Sequence, residues 1–582
     1  MKKRLLLFIA VAMMASSCED LFEPSIENLR GLDDMYEEAE YAQGFLLNGY
    51  ARIPTNSWSF NDMATDDAVS NNRSNNYLKV ATGQWTANNN PLDQWRNSKA
   101  AIQYLNILLQ EGDKVKWAKD ENVSQMFKDR MKGEAYGLRA LFMFHLLQNH
   151  AGWSESGELL GVPIVLEPEQ TNSDFNKPRA TFEECMQQIY SDVQKAQELL
   201  PLDFEGASDN SGLPADYKGS LDDYNRVFGQ FARQRMTARI AMAVRAQAAL
   251  LAASPAYNTG NSTTWADAAN YAGQVLELNG GLMGLDPNGL TWYANATEIG
   301  GLAAGANPRE ILWRSDVSES NDLERQHFPP TLYGNGLLNP SQNLVDAFPM
   351  ANGYPITEAS AGYDPSAPYS NRDPRLKHYI LVNGGTAGPG NATIITAADG
   401  TTNDALNKVG TSTRTGYYMR KLLRQDVNLN PTTTNRQKHY KPRIRYTELY
   451  LIYAEAANEA WGPTGAGAFG FSAYDVIAAI RNRAGIAQPD AYLESIKSNK
   501  EAMRALIRNE RRLELCFEGF RFWDLRRWNE DLTETATGVR IENGNHEIIP
   551  VEARVYGSYM QYGPIPYSET LKYDALSQNV GW

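Results

Sequence analysis

Between Trp58 and Asn88 the chain gathers Trp58, Asn61, Asp66, Asp67, Asn71, Asn72, Arg73, Asn75, Asn76, Tyr77, Trp85 and Asn88. Planar amides, carboxylates, a guanidinium and aromatic rings together suit a sugar, whose C–H face stacks on indole or phenol while its hydroxyls pair with amide and carboxylate groups. Trp85 and Trp95 have a second reading, as anchors of this segment to a helix beginning near Asp93. For Trp95 the anchor is the better reading; for Trp85 both stand. Asp66 and Asp67 are also the most tempting pair for glycoside hydrolysis, which needs two carboxylates at a set separation. Neighbours on an extended strand point opposite ways, however, so binding is favoured over cleavage. Trp292, Tyr293, Phe328 and Tyr333, in other irregular stretches, are further candidate stacking platforms.

Other chemistries lack their parts. The run GAGAFG, Gly465 to Gly470, matches a dinucleotide-binding pattern, but a helix precedes it where a strand is required, so it reads as an inter-helix turn. His145 and His150 stand five apart, off a shared helix face, and no HExxH, paired-Cys or G-x-S-x-G pattern accompanies them. Calcium is conceivable for the Asp- and Asn-rich loops, but no EF-hand spacing occurs, and neither cofactor nor metal is expected. The net charge of -14 becomes -17 once Lys2, Lys3 and Arg4 are set aside, which disfavours a nucleic-acid partner.

The run IRNERRLELCFEGFRFWDLRRW, Ile507 to Trp528, holds six arginines, four acids and five aromatics. Opposite charges recur three apart at Arg511/Glu514, Glu518/Arg521 and Asp524/Arg527, so the arginines have partners of their own and the run reads as a packed structural element. Gly519 marks the point where the helix turns.

Helical periodicity positions these segments. Tyr446 to Trp461 carries one apolar stripe and stops at Gly462-Pro463, and Ser472/Asp475 cap the next helix, which ends at Gly485. Thr181/Glu184 and Thr264/Asp267 cap two more, and Met131 to Gln148 and Met236 to Ala253 are helical, the latter crowded with alanine. The pairs have tetratricopeptide-like small-large complementarity without a clean period of 34 residues. The irregular stretches 53–91, 280–308 and 354–435 are long enough that they should contain short strands or build a site.

At the N-terminus, three cations, an apolar run from Leu5 to Met14 and small residues before Cys18 read as an export signal, too short to span a bilayer. Residues 1–17 are expected to be removed and Cys18 to carry the acyl chains. Cys185 and Cys516 fall on apolar helix faces as buried free thiols, although a single bridge between them is not excluded.

The Ile507 to Trp528 run closely resembles the C-terminal signature of the SusD/RagB family of outer-membrane lipoproteins. GEAYGLRALFMFHLLQNHAGWSESGELLGVPIVL, KPRATFEECMQQIYSDVQKAQELLP, NPSQNLVDAF, NRDPRLKHYI, HYKPRIRYTELYLIYAEAANEAWG, VIAAIRNRAGI and GPIPYSETLKYDALSQNVGW resemble family landmarks in order, from about Leu21 to Trp582. Cys516 and Phe520 depart from the usual residues of the signature. The resemblance implies a mostly α fold: a tetratricopeptide-like scaffold of about four helix pairs with an irregular, minor-β face that binds glycan. The family's division falls near residue 280, giving portions 18–280 and 281–582 packed as one globular body. It further implies a non-enzymatic, lipid-anchored protein on the outer membrane, facing the cell exterior, with Glu19 and Asp20 as an acidic export tag. A SusC-like TonB-dependent transporter would be the partner, receiving oligo- or polysaccharide. A peptide-capturing lid of a RagAB-like importer and a surface glycosidase are the alternatives. The family's binding pattern, an Asp stretch, then Arg, then Trp-x-x-Asn, carries over to Asp66 or Asp67, Arg73, Trp85 and Asn88. Arg372 is added as a site-facing cation that also suits a structural salt bridge.

Replacing Cys18 is the direct check on anchoring. Cys18→Ala should move the protein from the membrane to the soluble fraction, and membrane association that survives carbonate washing would contradict lipidation.

Overall fold

The computed structural model describes residues 31–214, 217 and 219–582; the export signal and Cys18 lie outside them. Ten helices carry the scaffold: α1 Ala39–Ala51, α2 Trp95–Glu111, α3 Glu121–His150, α4 Phe182–Leu199, α5 Ala238–Ala253, α6 Trp265–Leu278, α7 Tyr446–Trp461, α8 Ala473–Ala484, α9 Lys500–Glu514 and α10 Arg521–Arg527. From α1 to α8 each helix packs on the next, and α9 lies against α7, giving the tetratricopeptide-like succession of antiparallel pairs. No helix among the described residues is long and apolar enough to cross a membrane.

Local chemistry sets the boundaries. Capping boxes form at Thr181/Glu184, Thr264/Asp267 and Ser472/Asp475, where each hydroxyl accepts from the third backbone N–H and each carboxylate from the cap's own. Helix α3 starts ten residues before the apolar pattern becomes continuous, because Asp120 accepts from the Val123 N–H at 3.0 Å and so starts the helix. The buried alanines of α5, among them Ala241, Ala246 and Ala249, let α3, α4, α6 and α7 all approach its axis. Cys185 and Cys516 are buried and free.

The strands are short and pair in twos. Strand β1 Ala68–Ser70 runs antiparallel to β3 Leu338–Pro340, β2 Ile311–Arg314 to β4 Pro442–Arg445, and β5 Ala536–Glu542 to β6 Asn545–Glu552. Of the three irregular stretches, 53–91 and 354–435 contain strands, whereas 280–308 holds only helical turns.

The arginine-rich run is the structural element expected of it, but its ion pairs are not the local ones. Only Asp524–Arg527 forms between neighbours, at 2.9 Å. Arg511 instead donates to Asp524 at 2.8 Å. Glu510, Glu514 and Glu518, spaced four apart, take cations from distant segments. Arg375 reaches Glu510 at 2.7 Å and Glu514 at 3.0 Å, Arg481 reaches Glu510 at 2.8 Å, and Arg483 reaches Glu514 at 2.9 Å. Glu518 accepts from Arg445 at 2.9 Å and Lys421 at 2.6 Å. Spacing favoured local pairs; the fold overrides it, because a desolvated charge is compensated only by the partners the core brings to it.

Arg375→Met would leave Asp373, Glu510 and Glu514 short of a buried cation, so it should lower unfolding stability by about 3–5 kcal/mol in denaturant titrations. Acid should weaken the same cluster. Burial alone would raise the Glu514 carboxyl, but Arg483, Arg375 and Arg445 hold it down to about 2. Its contribution is complete above the ordinary glutamate value of about 4.5 and is lost as the pH falls towards 2, so the denaturation midpoint should fall across that window.

Candidate functional site

The residues singled out in the sequence separate into a buried set and an exposed set. Asp66 and Asp67 sit in a turn, not on a strand, and both reach the same guanidinium: Arg512 Nη2 donates to Asp66 and Nε to Asp67, each at 2.7 Å. Arg521 closes a second fork on Asp66 at 2.8 and 3.0 Å. Burial penalises the Asp66 charge, but Arg512 and Arg521 outweigh it and hold that carboxyl well below the usual range. The expectation that the two side chains diverge is corrected, and neither is free to meet a sugar. The ionised, doubly paired Asp66 has no proton to give a leaving group; the Asp67 carboxyl is raised by its burial, but it is fully enclosed and held by Arg512.

Trp85 is also corrected. It is buried against Phe522, Tyr556 and Trp582, with ring centroids 5.7, 6.4 and 4.9 Å away, and its indole N–H donates to Asn90 at 3.0 Å. It anchors the loop and offers no face for stacking. Trp95 is likewise buried. Trp292, Tyr293 and Phe328 lie inside a hydrophobic cluster with Phe348, Tyr379 and Phe517, Trp292 edge-on to Tyr293 at 5.5 Å, and form no platform. Arg372 is buried and spends its guanidinium on the carbonyls of Pro368, Val345 and Phe348, a backbone clamp and not a salt bridge.

Arg73, Asn88 and Tyr333 are exposed. The structure brings two of them to neighbouring loops. Beyond the β1–β3 ladder the Asn71 N–H donates to Leu337 O at 3.2 Å, and its side-chain amide donates to the carbonyls of Asn335 and Gly336, each at 2.8 Å. The loop of Asn72, Arg73 and Ser74 is thereby tied to the turn carrying Tyr333 and Asn335. Asn88 stands apart, on the turn Thr86–Asn89, next to the segment at Tyr567, whose N–H donates to Ala87 O at 3.1 Å.

Tyr333 is the unusual member. Three aromatic residues have positive φ among the described residues: Phe60 at 49°, Phe517 at 64° and Tyr333 at 62°. Phe60 and Phe517 are buried, which supplies a packing reason for the backbone cost; Tyr333 is 56% exposed. A bulky side chain in the left-handed region costs roughly 1–2 kcal/mol. Here the turn Pro329–Gly334 imposes it, with Tyr333 N–H donating to Pro330 O at 2.9 Å and Gly334 N–H to Pro329 O at 3.2 Å. More than half of the residue stays in solvent, and the turn, not burial, sets its backbone. Asn335 and Arg325, both exposed, share this edge, Asn335 N–H donating to Arg325 O at 2.9 Å. Neither was singled out in the sequence, although the Pro-Pro-Thr-Leu-Tyr-Gly-Asn-Gly string carries the turn signals that could have marked the site.

Comparison with known proteins fits this architecture. Residues 309–582 match the model of the SusD family, and residues 32–210 match a model described as starch-binding associating with outer membrane. The chain belongs to the SusD/RagB family. Solved SusD-like structures share its fold. A SusD-like protein from Bacteroides fragilis has TM-score 0.71 at 22% identity, covering 94% of this chain and 98% of that one. A SusD-like carbohydrate binding protein from the same species has TM-score 0.69 at 21% identity, covering 93% and 99%. A surface glycan-binding protein A from Bacteroides fluxus has TM-score 0.59 at 16% identity, covering 94% and 100%. None of the curated proteins matches the chain.

If Tyr333 is retained for its exposed ring and not for the fold, Tyr333→Gly should leave thermal stability unchanged or raised by up to about 1 kcal/mol, since glycine relieves the left-handed strain. A large loss of stability would mean that the ring packs.

Proposed function

We propose that this SusD-family protein is a cell-surface glycan-binding lipoprotein of the outer membrane that captures oligo- or polysaccharide and delivers it to a SusC-like TonB-dependent transporter. The observation that carries the proposal is the exposed Tyr333 ring, held at positive φ beside the Asn71–Ser74 loop. A sugar needs an aromatic face and planar hydrogen-bonding groups on one surface, and this edge supplies a phenol ring, the Arg73 guanidinium and the amides of Asn72 and Asn335. Binding without catalysis is favoured because the most tempting carboxylate pair, Asp66 and Asp67, is consumed by Arg512 and Arg521. The names of the structural relatives, one a carbohydrate binding protein and another a surface glycan-binding protein, support the same ligand class. Association with the outer membrane is supported by the description of the family model over residues 32–210.

Affinity gel electrophoresis of residues 19–582 through plant, fungal, bacterial and host polysaccharides tests this. One class of glycan should retard the wild type, and Tyr333→Ala should weaken that retardation about tenfold, the loss of one stacking contact of about 1–1.5 kcal/mol. Arg73→Ala should weaken it as well. Unchanged retardation in both folded variants would remove this edge from the site, and peptide binding with no response to any glycan would favour peptide capture.

A further inference from the structure

His439 ends a short strand, Gln437–His439, that runs antiparallel to Ser318–Ser320, and its side chain is 15% exposed. Both ring nitrogens meet acceptors: Nδ1 lies 2.8 Å from Gln437 O and Nε2 lies 2.9 Å from Glu324 Oε1. A backbone carbonyl only accepts, and Glu324 Oε1 already accepts the Arg424 N–H at 2.8 Å. A neutral imidazole has one N–H, so it serves one of these two partners. Serving both takes the imidazolium, set against an ionised carboxylate.

The surroundings sustain that charge. Burial opposes it, but the bond to Glu324, the Glu324 charge and the Gln437 carbonyl outweigh burial and hold the ring above its ordinary value of 6.5. Arg424 also opposes it, although Asp426 takes up the Arg424 guanidinium at 2.6 and 3.0 Å. Asp322 and Arg325 share the short helix of Glu324, and Glu319 lies on the paired strand. Glu298 comes from the helix Ala296–Gly301, which packs on this strand, and Lys438, next to the ring along the chain, reaches Gly300 O at 3.5 Å. His327, on the same helix as Glu324, is driven down to about 3 by burial and stays neutral, so His439 is the histidine that changes charge here.

Glu324 depends on this proton. It is buried, its Oε2 has no partner, and the cation at ion-pair distance from it is His439. Its helix, Asp322–His327, carries the Tyr333 turn: Phe328 N–H donates to Glu324 O at 2.8 Å, while Asn335 N–H donates to Arg325 O and Leu337 N–H to Gln326 O, each at 2.9 Å. Just before that helix the Asn321 amide donates to Asn435 O at 2.7 Å, so the 424–439 segment grips it at its start and, through His439, at Glu324. When the ring gives up a proton, one of its two bonds is lost and Glu324 becomes a buried carboxylate with no cation beside it, a state that favours local opening. The stabilisation is complete below the ordinary histidine value of 6.5 and is lost as the pH rises through the raised value of the folded protein.

We propose that His439 and Glu324 form a pH-sensitive clasp on the Tyr333 edge, closed while the imidazole holds both protons and loosened when it gives one up. Glycan capture is then firmer at mildly acidic than at alkaline pH. That consequence rests on the reading of Tyr333 as the binding face; the clasp itself does not.

The test uses residues 19–582 without any glycan, so its failure is distinct from failure of the Tyr333 reading. Proton NMR of the imidazole C–H signals follows the six histidines, with His439 assigned from His439→Gln. His439 should titrate above 6.5, and Glu324→Gln should bring it to that value or below. Hydrogen exchange at about pH 6 and about pH 9, each rate divided by the intrinsic rate at that pH, should show protection over 321–337 falling about tenfold, the loss of one hydrogen bond to a charged group. Tyr333→Ala should keep that step. His439→Gln, which has no titrating proton, should abolish it, and Glu324→Gln reports the same loss if His439→Gln does not fold. A His439 value at or below 6.5, protection over 321–337 that is equal at the two pH values, or a step that survives in folded His439→Gln would overturn the proposal.

Discussion

Three glutamates four residues apart, Glu510, Glu514 and Glu518, organise the centre of this molecule. Their carboxylates are buried, and removing such charges from water costs several kcal/mol per ion unless each is paired and hydrogen-bonded. Arg375 and Lys421 come from the irregular stretch 354–435, while Arg445, Arg481 and Arg483 come from β4 and α8. The cluster is satisfied only when that stretch and the helices α8 and α9 are all in place. On the other flank of the same run, Arg512 and Arg521 hold Asp66 and Asp67.

That second contact transmits order to the surface. The Asp67 carbonyl accepts from Ser341 N–H at 2.8 Å, and the next three residues form β1 on β3. One residue beyond the ladder, Asn71 ties the Arg73 loop to the Tyr333 turn. The exposed edge is therefore the end of a hydrogen-bonded path that begins in the buried cluster. Its outward side chains take little part in that path, so the edge can change its residues without disturbing the scaffold. That separation suits a binding protein whose ligand is set by loops and whose stability is set by a core.

Local physics was legible in the sequence. The three capping boxes, the Gly485 stop, the Gly519 turn and the two buried thiols need only neighbouring residues, and the structure has them all. Tertiary pairing was not legible. Arg511 and Glu514 have ideal helical spacing, yet each finds a distant partner, because burial makes any charge seek the partner the core supplies. The same limit explains the site. Trp85 and Tyr333 are both aromatic residues in irregular segments, and nothing nearby in the sequence shows that Trp582 from the other end of the chain covers one while a strained turn holds the other in solvent. Asp66 and Asp67 have the chemistry of a sugar ligand and are taken by arginines some 450 positions away in sequence.

Hydrogen–deuterium exchange of residues 19–582, with and without the glycan that retards the protein most strongly, tests the placement of the site most directly. Slower exchange over 71–76 and 331–336, with no change over 510–527, is the predicted result. Protection confined to other surfaces, with both loops unchanged, would contradict the account.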